Sequence, residues 1–598
     1  MPKSKSSRSR PARPVPSRKA SADRTPPILR EIFARTRRPE FTKYLADLLL
    51  EICRFDTTPN PDLAVMRASE DACFRVLERE LAQLGFAGAR TERRPIDPAI
   101  QHHRNYSLLH FTKTPARPAG LSAEETYRDR HNLLYLIPGT NAAARGQSVA
   151  VNGHIDVVAP FFPPKLKDGI VSGRGSCDDK GPVVAIIAAL KVLAGVMAES
   201  GLQWNRNVVG MFVIEEETGG NGSLSLAIDR DLRKLYDSII VNECAGLQIY
   251  PANRGAVWYK AALRVPPGVS PFEVSAFVHE EMEKEGVAIR AESRHPLFPQ
   301  RPVQTCHGII GPFGEHPSRI CGRVRFTVQF GAKPEPRVEW LVRDCLDAGL
   351  AAYVGLYGDK TKVEDPATGR PLVARHYDFK RIPGGFEVVV HGATGHMGSI
   401  RDRDGAITKC ATLIRSLVYS RAKIEAAAGT PLRLLLDGQP EGDSLILEGG
   451  QGFTPTHHID DVMGRMRAAA ERGAETCLRR LGRAERGAEV VTVSYEKLHN
   501  VAFDGDPDSP SMRHAIAAAR ACGFWKEEPV RGWTVSCDSR LFAMEYPGMD
   551  VLTFGPGELA VAHSDSEHIR LDDVRRAAEF LAVFLLRQTG TVNLPGGR

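Results

Sequence analysis

Between residues 151 and 222 the chain three times passes from an apolar or glycine-rich stretch onto charged side chains. His154-Ile155-Asp156 follows Val151-Asn152-Gly153, and Asp178-Asp179 sits between Gly173-Arg174-Gly175 and Lys180-Gly181. Glu215-Glu216-Glu217 follows the run Val208 to Ile214 and precedes Gly219, Gly220 and Gly222. Short β-branched runs of this kind read as strands, and open α/β sheets place their sites beyond the carboxyl ends of their strands. Helical spacing of apolar residues over Phe41 to Cys53, Asp62 to Leu84 and Pro182 to Val196, with strands at Leu133–Ile137, Ser148–Asn152, Asn207–Ile214 and Ser238–Val241, completes an α/β pattern with helices packed on a central sheet.

After about Arg254 the pattern changes. Val257–Val265, Arg323–Phe330, Ala351–Leu356 and Phe386–His391 read as strands; Pro271–Lys284, Val338–Ala348, Ala406–Ser420 and Ile459–Leu481 read as helices; Leu432–Asp437 with Ser444–Glu448 reads as a hairpin. From about Glu489 the chain resumes segments of the first type and ends in a helix over Leu571–Gln588. The 598 residues exceed one core, and the expected organisation is a tail over 1–27, a first domain over 28–253 and 486–598, and an inserted α+β domain over 254–485.

The formal charge of +7 belongs to one end of the chain. Residues 1–38 hold twelve Lys/Arg against Asp23 and Glu31, a balance of +10, so the remainder carries 7 − 10 = −3. The Ser/Arg/Pro-rich tail is expected to be disordered and solvated, and is not read as a nucleic-acid or membrane contact. No run of eighteen apolar residues suggests a membrane span. Eleven scattered cysteines without a C-x-x-C pair fit free thiols in a reducing cytoplasm.

In a strand, residues i and i+2 share a face, so His154 and Asp156 can point together from the strand end. Neutral imidazole is a good ligand for zinc, and a neighbouring carboxylate can fix its tautomer. Asp178, in a loop whose glycines allow sharp bends, can offer one oxygen to each of two cations. Asp179 is assigned the ordinary role of capping the helix that follows. In the Glu215–Glu217 run, one glutamate can bind a metal while its neighbour acts as general base. Glu243, ending Ile239-Ile240-Val241-Asn242, is a further acid at a strand end, and His563 stands far away in sequence.

Taken in order, these segments resemble the dinuclear zinc amidohydrolases and metallopeptidases that include acetylornithine deacetylase, succinyl-diaminopimelate desuccinylase, aminoacylases and glutamate carboxypeptidases. Asp56-Thr57-Thr58 is similar to that family's early loop, Gly392-Ala393-Thr394-Gly395-His396-Met397-Gly398 to the histidine motif of its inserted lid or dimerisation domain, and Thr534 to Arg540 to its late loop. The resemblance implies a zinc-peptidase-like α/β domain with a central mixed sheet. It implies two Zn²⁺ per chain, with Co²⁺ or Mn²⁺ able to substitute: His154 and Glu243 on the first, Glu217 and His563 on the second, Asp178 bridging. Asp156 would orient His154, Glu216 act as general base, His396 stabilise an oxyanion, often across a dimer interface, and Arg540 hold a substrate carboxylate. With a hydroxide, the three ligand carboxylates balance two divalent cations. The implied activity is cleavage of an amide in an N-acyl amino acid or short peptide, with a di- or carboxypeptidase, or a non-catalytic binding protein on the same fold, as alternatives. The inserted domain is larger than the resemblance implies, mainly over 265–385, and a homodimer through it is one expectation.

Overall fold

The computed structural model describes residues 26–141, 146–365, 368–495 and 499–593. The expected tail lies outside them up to residue 25, and Pro27 already opens the helix Pro27–Thr36. The central sheet runs, in spatial order, Arg90–Pro95, His131–Ile137, Val208–Val213, Val149–His154, Ser238–Asn242, Asp550–Phe554 and Ile249–Tyr250. Its four inner strands, from Val208–Val213 to Asp550–Phe554, are parallel, and the outer ones join antiparallel. Every residue of Val149–His154, Val208–Val213 and Ser238–Asn242 is buried, which is why these strands read as unbroken apolar runs.

The period of two splits their side chains between two cores. Val149 and Val151 pack with Lys180–Glu199, Leu571–Thr589 and Pro39–Ile52, while Ala150, Val209 and Met211 pack with Asn221–Ala227 and Ser539–Glu545. The helix Lys180–Glu199 is, by length and composition, apolar enough to cross a membrane. It has that composition because it lies buried between the sheet and the helices Pro39–Ile52 and Leu571–Thr589. Counting only uninterrupted apolar runs overlooked it.

The chain leaves this domain at Asn253 and re-enters it at Phe503, where Ala252–Asn253 pairs with Phe503–Asp504. The insertion thus extends past the expected boundary at residue 485, because Val491–Ser494 and His499–Asn500 still pair with Gly255–Arg264. Its two larger sheets are antiparallel, and Glu364–Asp365 pairs with Arg370–Pro371 as a small third one. The first orders Thr305–Ile310, Ser444–Phe453, Gly255–Arg264 and Val491–Ser494; the second orders Tyr377–Ile382, Gly385–His391, Arg323–Gln329 and Arg433–Leu436. Helices Pro271–Glu292 and Ile459–Arg480 cover the first sheet, Ala406–Tyr419 covers the second with Pro336–Tyr357 beside it, and Pro271–Glu292 meets Ala406–Tyr419, so the halves share one core.

Two expectations fail here for identifiable reasons. Ala351–Leu356 is not a strand but the end of the helix Pro336–Tyr357; its short apolar run fits either period, and the buried positions Leu346, Gly349 and Tyr353, at steps of three and four, follow the helical one. Arg433–Leu436 and Ser444–Phe453 do not form a hairpin. They belong to different sheets, and the intervening Gly438-Gln439-Pro440-Glu441-Gly442 carries the chain from one to the other.

The crossing of Ile459–Arg480 on Pro271–Glu292 depends on Gly473, where a Cβ would stand 2.5 Å from the Phe277 carbonyl oxygen. Gly473→Leu should force these helices apart and cost about 3 kcal/mol. Urea denaturation followed by circular dichroism would measure that loss.

Candidate active site

The inner parallel strands deliver their next residues to one edge. His154 ends Val149–His154, Glu215–Glu217 follow Val208–Val213, Glu243 follows Ser238–Asn242, and the chain beyond Asp550–Phe554 loops to His563. Asp178 arrives from the loop before the helix Lys180–Glu199. All five proposed ligands are buried. His154 Nε2 lies 3.2 Å from Asp178 Oδ1 and 4.0 Å from Glu243 Oε1. On the other side His563 Nε2 lies 3.2 Å from Asp178 Oδ2 and 2.8 Å from Glu217 Oε1. Two triads result, His154/Asp178/Glu243 and Asp178/Glu217/His563, each with donor atoms within 4.8 Å of one another. Asp178 gives one oxygen to each.

The electrostatics fit a pair of cations. Burial, then Asp178, pushes the Glu243 carboxyl well above the usual range, and burial raises Glu217. Burial alone would raise Asp178, but hydrogen bonds from His154 and His563 pull it well below that range. Burial lowers His563, yet Glu217 and Asp178 outweigh it and raise the imidazole to about 10. Three carboxylates and two imidazoles buried together form an N/O donor set whose charge, with that of one hydroxide, two divalent cations would balance.

The residues around the ligands are themselves fixed. Asp156 accepts the backbone N–H of Glu216 at 3.1 Å and of Glu217 at 2.9 Å. Its carboxylate also lies 3.4 Å from His154 Nδ1, whose shorter contact, at 3.0 Å, is the Asp156 backbone oxygen. It therefore positions both the imidazole and the glutamate turn. Asp179 sits at the helix N-cap position but makes no capping bond. It accepts instead the backbone N–H of His154 at 3.1 Å, a correction to its capping assignment. Glu567, which the sequence reading passed over, accepts the backbone N–H groups of Gly175, Cys177 and Asp178 at 2.9–3.1 Å and pairs with Arg174. It is fully buried and shapes the loop that presents Asp178.

Glu215 takes no part in either triad. It accepts Tyr127 Oη at 2.8 Å and pairs with Arg130, whose other side holds Glu70 at 2.6 Å. Its φ of +66°, like the +58° of His563, lies in the left-handed region that non-glycine residues rarely adopt. Both strained turns adjoin the triads: Glu215 precedes Glu216 and Glu217, and His563 is itself one of the clustered donors. A Tyr, an Arg and a Glu scattered between residues 70 and 130 carry no local signal; a run of three glutamates offered no means of telling them apart by side-chain partner.

Glu216 is only half-buried, and burial followed by the Asp538 charge pushes its carboxyl well above the usual range. Asp538 is 1% exposed and was also missed by the sequence reading. Arg540 lies behind the Glu215–Gly220 turn at 3% exposure, donating from Nη2 to the Gly219 oxygen at 3.0 Å. The inserted domain docks on the loop carrying His563. The His396 N–H donates to the Ala562 oxygen at 3.0 Å, Arg319 Nε to the His563 oxygen at 2.9 Å, and Arg403 Nε to the Ala560 oxygen at 3.0 Å. The rings of His396 and His563 meet edge-on at 4.7 Å. Burial, then His563, holds the His396 imidazole well below its ordinary value. Its Nδ1 accepts the Gly398 N–H at 2.9 Å, which leaves the proton on Nε2.

The sequence model of peptidase family M20/M25/M40 matches residues 150–587. The chain belongs to this family. Among curated relatives, a probable carboxypeptidase of Trichophyton verrucosum is 30% identical over 156 residues, 24% of this chain and 32% of that protein. A putative LysW-lysine/LysW-ornithine hydrolase of Pyrococcus horikoshii is 30% identical over 123 residues, 21% of this chain and 31% of its own length. These alignments span about a third or less of the relatives. In fold, the chain is similar to human carnosine dipeptidase 1 at a TM-score of 0.56 and 13% identity, covering 94% of this chain and 99% of that one. It is similar also to the dipeptidase Dug1p of Saccharomyces cerevisiae, at 0.53 and 13%, covering 94% and 98%.

Glu567→Ala should leave Arg174 buried without its carboxylate, at a cost of about 3–5 kcal/mol. In protein that still folds, it should weaken divalent-metal binding by about 10–100-fold. Chelator competition measured alongside denaturation separates the two effects.

Proposed function

We propose that this chain hydrolyses the amide bond of an N-acyl amino acid or short peptide, with two divalent cations, zinc foremost, held by the two triads that share Asp178. The observation that carries this reading is the position of Glu216: a half-buried carboxylate on the same turn as Glu217, its backbone tied by Asp156 to the strand end that bears His154. When bound, the cations polarise the amide carbonyl and lower the pKa of water. Glu216 takes a proton from the attacking water and hands it to the leaving amine; a carboxyl raised by burial is suited to both transfers. The Nε2–H of His396 donates to the oxyanion that develops on the former carbonyl. Asp156, Asp538 and Arg540 shape the Glu216 turn, and binding of a substrate carboxylate by Arg540 rests on the resemblance alone. A binding protein on this fold would have no use for a poised Glu216. A di- or carboxypeptidase would use the same residues and differ only in substrate.

His396 stands over His563 of its own chain, which supports a site completed within one subunit, with the second sheet of the insertion supplying what a partner would otherwise bring. Eleven unpaired thiols support a reducing, cytoplasmic setting.

Glu216→Gln should leave metal content unchanged while turnover falls by about 10²–10⁴-fold; elemental analysis beside a hydrolysis assay checks both. Co-refolding equal amounts of Glu216→Gln and His396→Ala chains should restore no activity. Substantial recovery would show that His396 acts across a subunit interface.

A further inference from the structure

A cavity of about 360 Å³ opens beside Glu217 and Thr218, between the catalytic domain and the inserted one. Its size falls near the lower end of ligand pockets, about 300–1,000 Å³. A larger cavity, about 580 Å³, lies within the inserted domain and contains no residue of the two triads. We propose that the smaller cavity binds an apolar side chain or acyl group of the substrate, so that the enzyme prefers hydrophobic short peptides or N-acyl amino acids. This rests on the hydrolase reading above.

The wall is built rather than incidental. Leu108 and Phe111 line the cavity with Val158 and Pro59, and the loop bearing the first two is clamped to the catalytic turn. Ser107 N–H donates to Asn221 Oδ1 at 2.9 Å, Ser107 Oγ to the Gly219 oxygen at 3.0 Å, and Asn221 Nδ2 returns a bond to the Ser107 oxygen at 2.8 Å. Three hydrogen bonds thus fix Leu108 and Phe111 relative to Glu217, a few residues from the same turn. Leu108 nevertheless stays 47% exposed among the described residues, an apolar surface at a pocket mouth.

Apart from Glu217, which belongs to the second triad, the lining sets Lys113 and Lys260 against Glu315 and Glu448, with Lys260 and Glu448 facing each other across paired strands of the inserted domain, beside the imidazoles of His110 and His316. A charged substituent would meet no net complement, whereas an apolar one would lose water against Leu108, Phe111 and Val158. One methylene more or less in such a pocket shifts specificity by about 10–200-fold.

The test uses the metal-loaded full chain and the dipeptides X-Gly and Gly-X and the N-acetyl derivatives of X, where X is Leu, Phe, Gly or Asp. In at least one series, kcat/KM for Leu or Phe should exceed that for Gly and Asp by at least about 10-fold. Leu108→Ser, at an exposed position, and Phe111→Ser should each bring that ratio towards one. Calorimetric binding of leucine and glycine hydroxamates to the metal-loaded Glu216→Gln protein supplies a readout that needs no turnover. The leucine compound should bind more tightly, and Leu108→Ser should remove the difference. Equal ratios in both measurements, or ratios untouched by both substitutions, overturn the proposal. Absence of hydrolysis with the hydroxamate preference intact overturns the hydrolase reading and leaves the pocket standing.

Discussion

Everything about the site turns on one buried carboxylate, Asp178, held between two imidazoles at 3.2 Å on either side. A single ion shared in this way fixes how far apart His154 and His563 can be, and through them the spacing of two strand ends. It also explains the supporting shell. A loop that presents an anion to two partners cannot be free to move, and Glu567 meets the need by taking three of that loop's N–H groups while Arg174 balances its charge. Asp179, next in the chain, meets the same need from below by binding the backbone of His154. Two adjacent aspartates therefore do different work, one facing the site and one bracing it.

The insertion depends on that arrangement in turn. Its docking bonds from His396, Arg319 and Arg403 all fall on Ala560–His563, the loop that carries the distant ligand. Placing His563 thus also places the donor over it. The chain reaches this loop just after the second-sheet strand Gly385–His391, and Pro271–Glu292 packs with Ala406–Tyr419 so that the halves of the insertion share one core.

Much of this was legible in the residues. The buried parallel strands announced themselves as β-branched runs because both of their faces are covered, and each charged cluster stood where such a run stopped. His154, Asp178, Glu217, Glu243 and His563 were all named from their motifs, and the structure brings them together in two triads. What failed were short apolar segments with two permitted periods, such as Ala351–Leu356, and pairings between segments close in sequence, such as Arg433–Leu436 with Ser444–Phe453. Local patterning says that a strand exists and says little about which neighbour completes it.

The sequence by itself determined the chemistry: which side chains can carry metal and proton, and the order in which a sheet would present them. Those facts are local, set by residue type and by the period of burial. The tertiary structure alone decided that Glu215, the first of three consecutive glutamates, pairs with Arg130. It decided that Glu567 and Asp179 brace the ligands, that His396 meets His563 of the same chain, and that Leu108 and Phe111 wall a cavity beside Glu217. Each of these joins segments tens to hundreds of residues apart, and no short-range pattern records a contact whose partner is fixed only when the sheet closes.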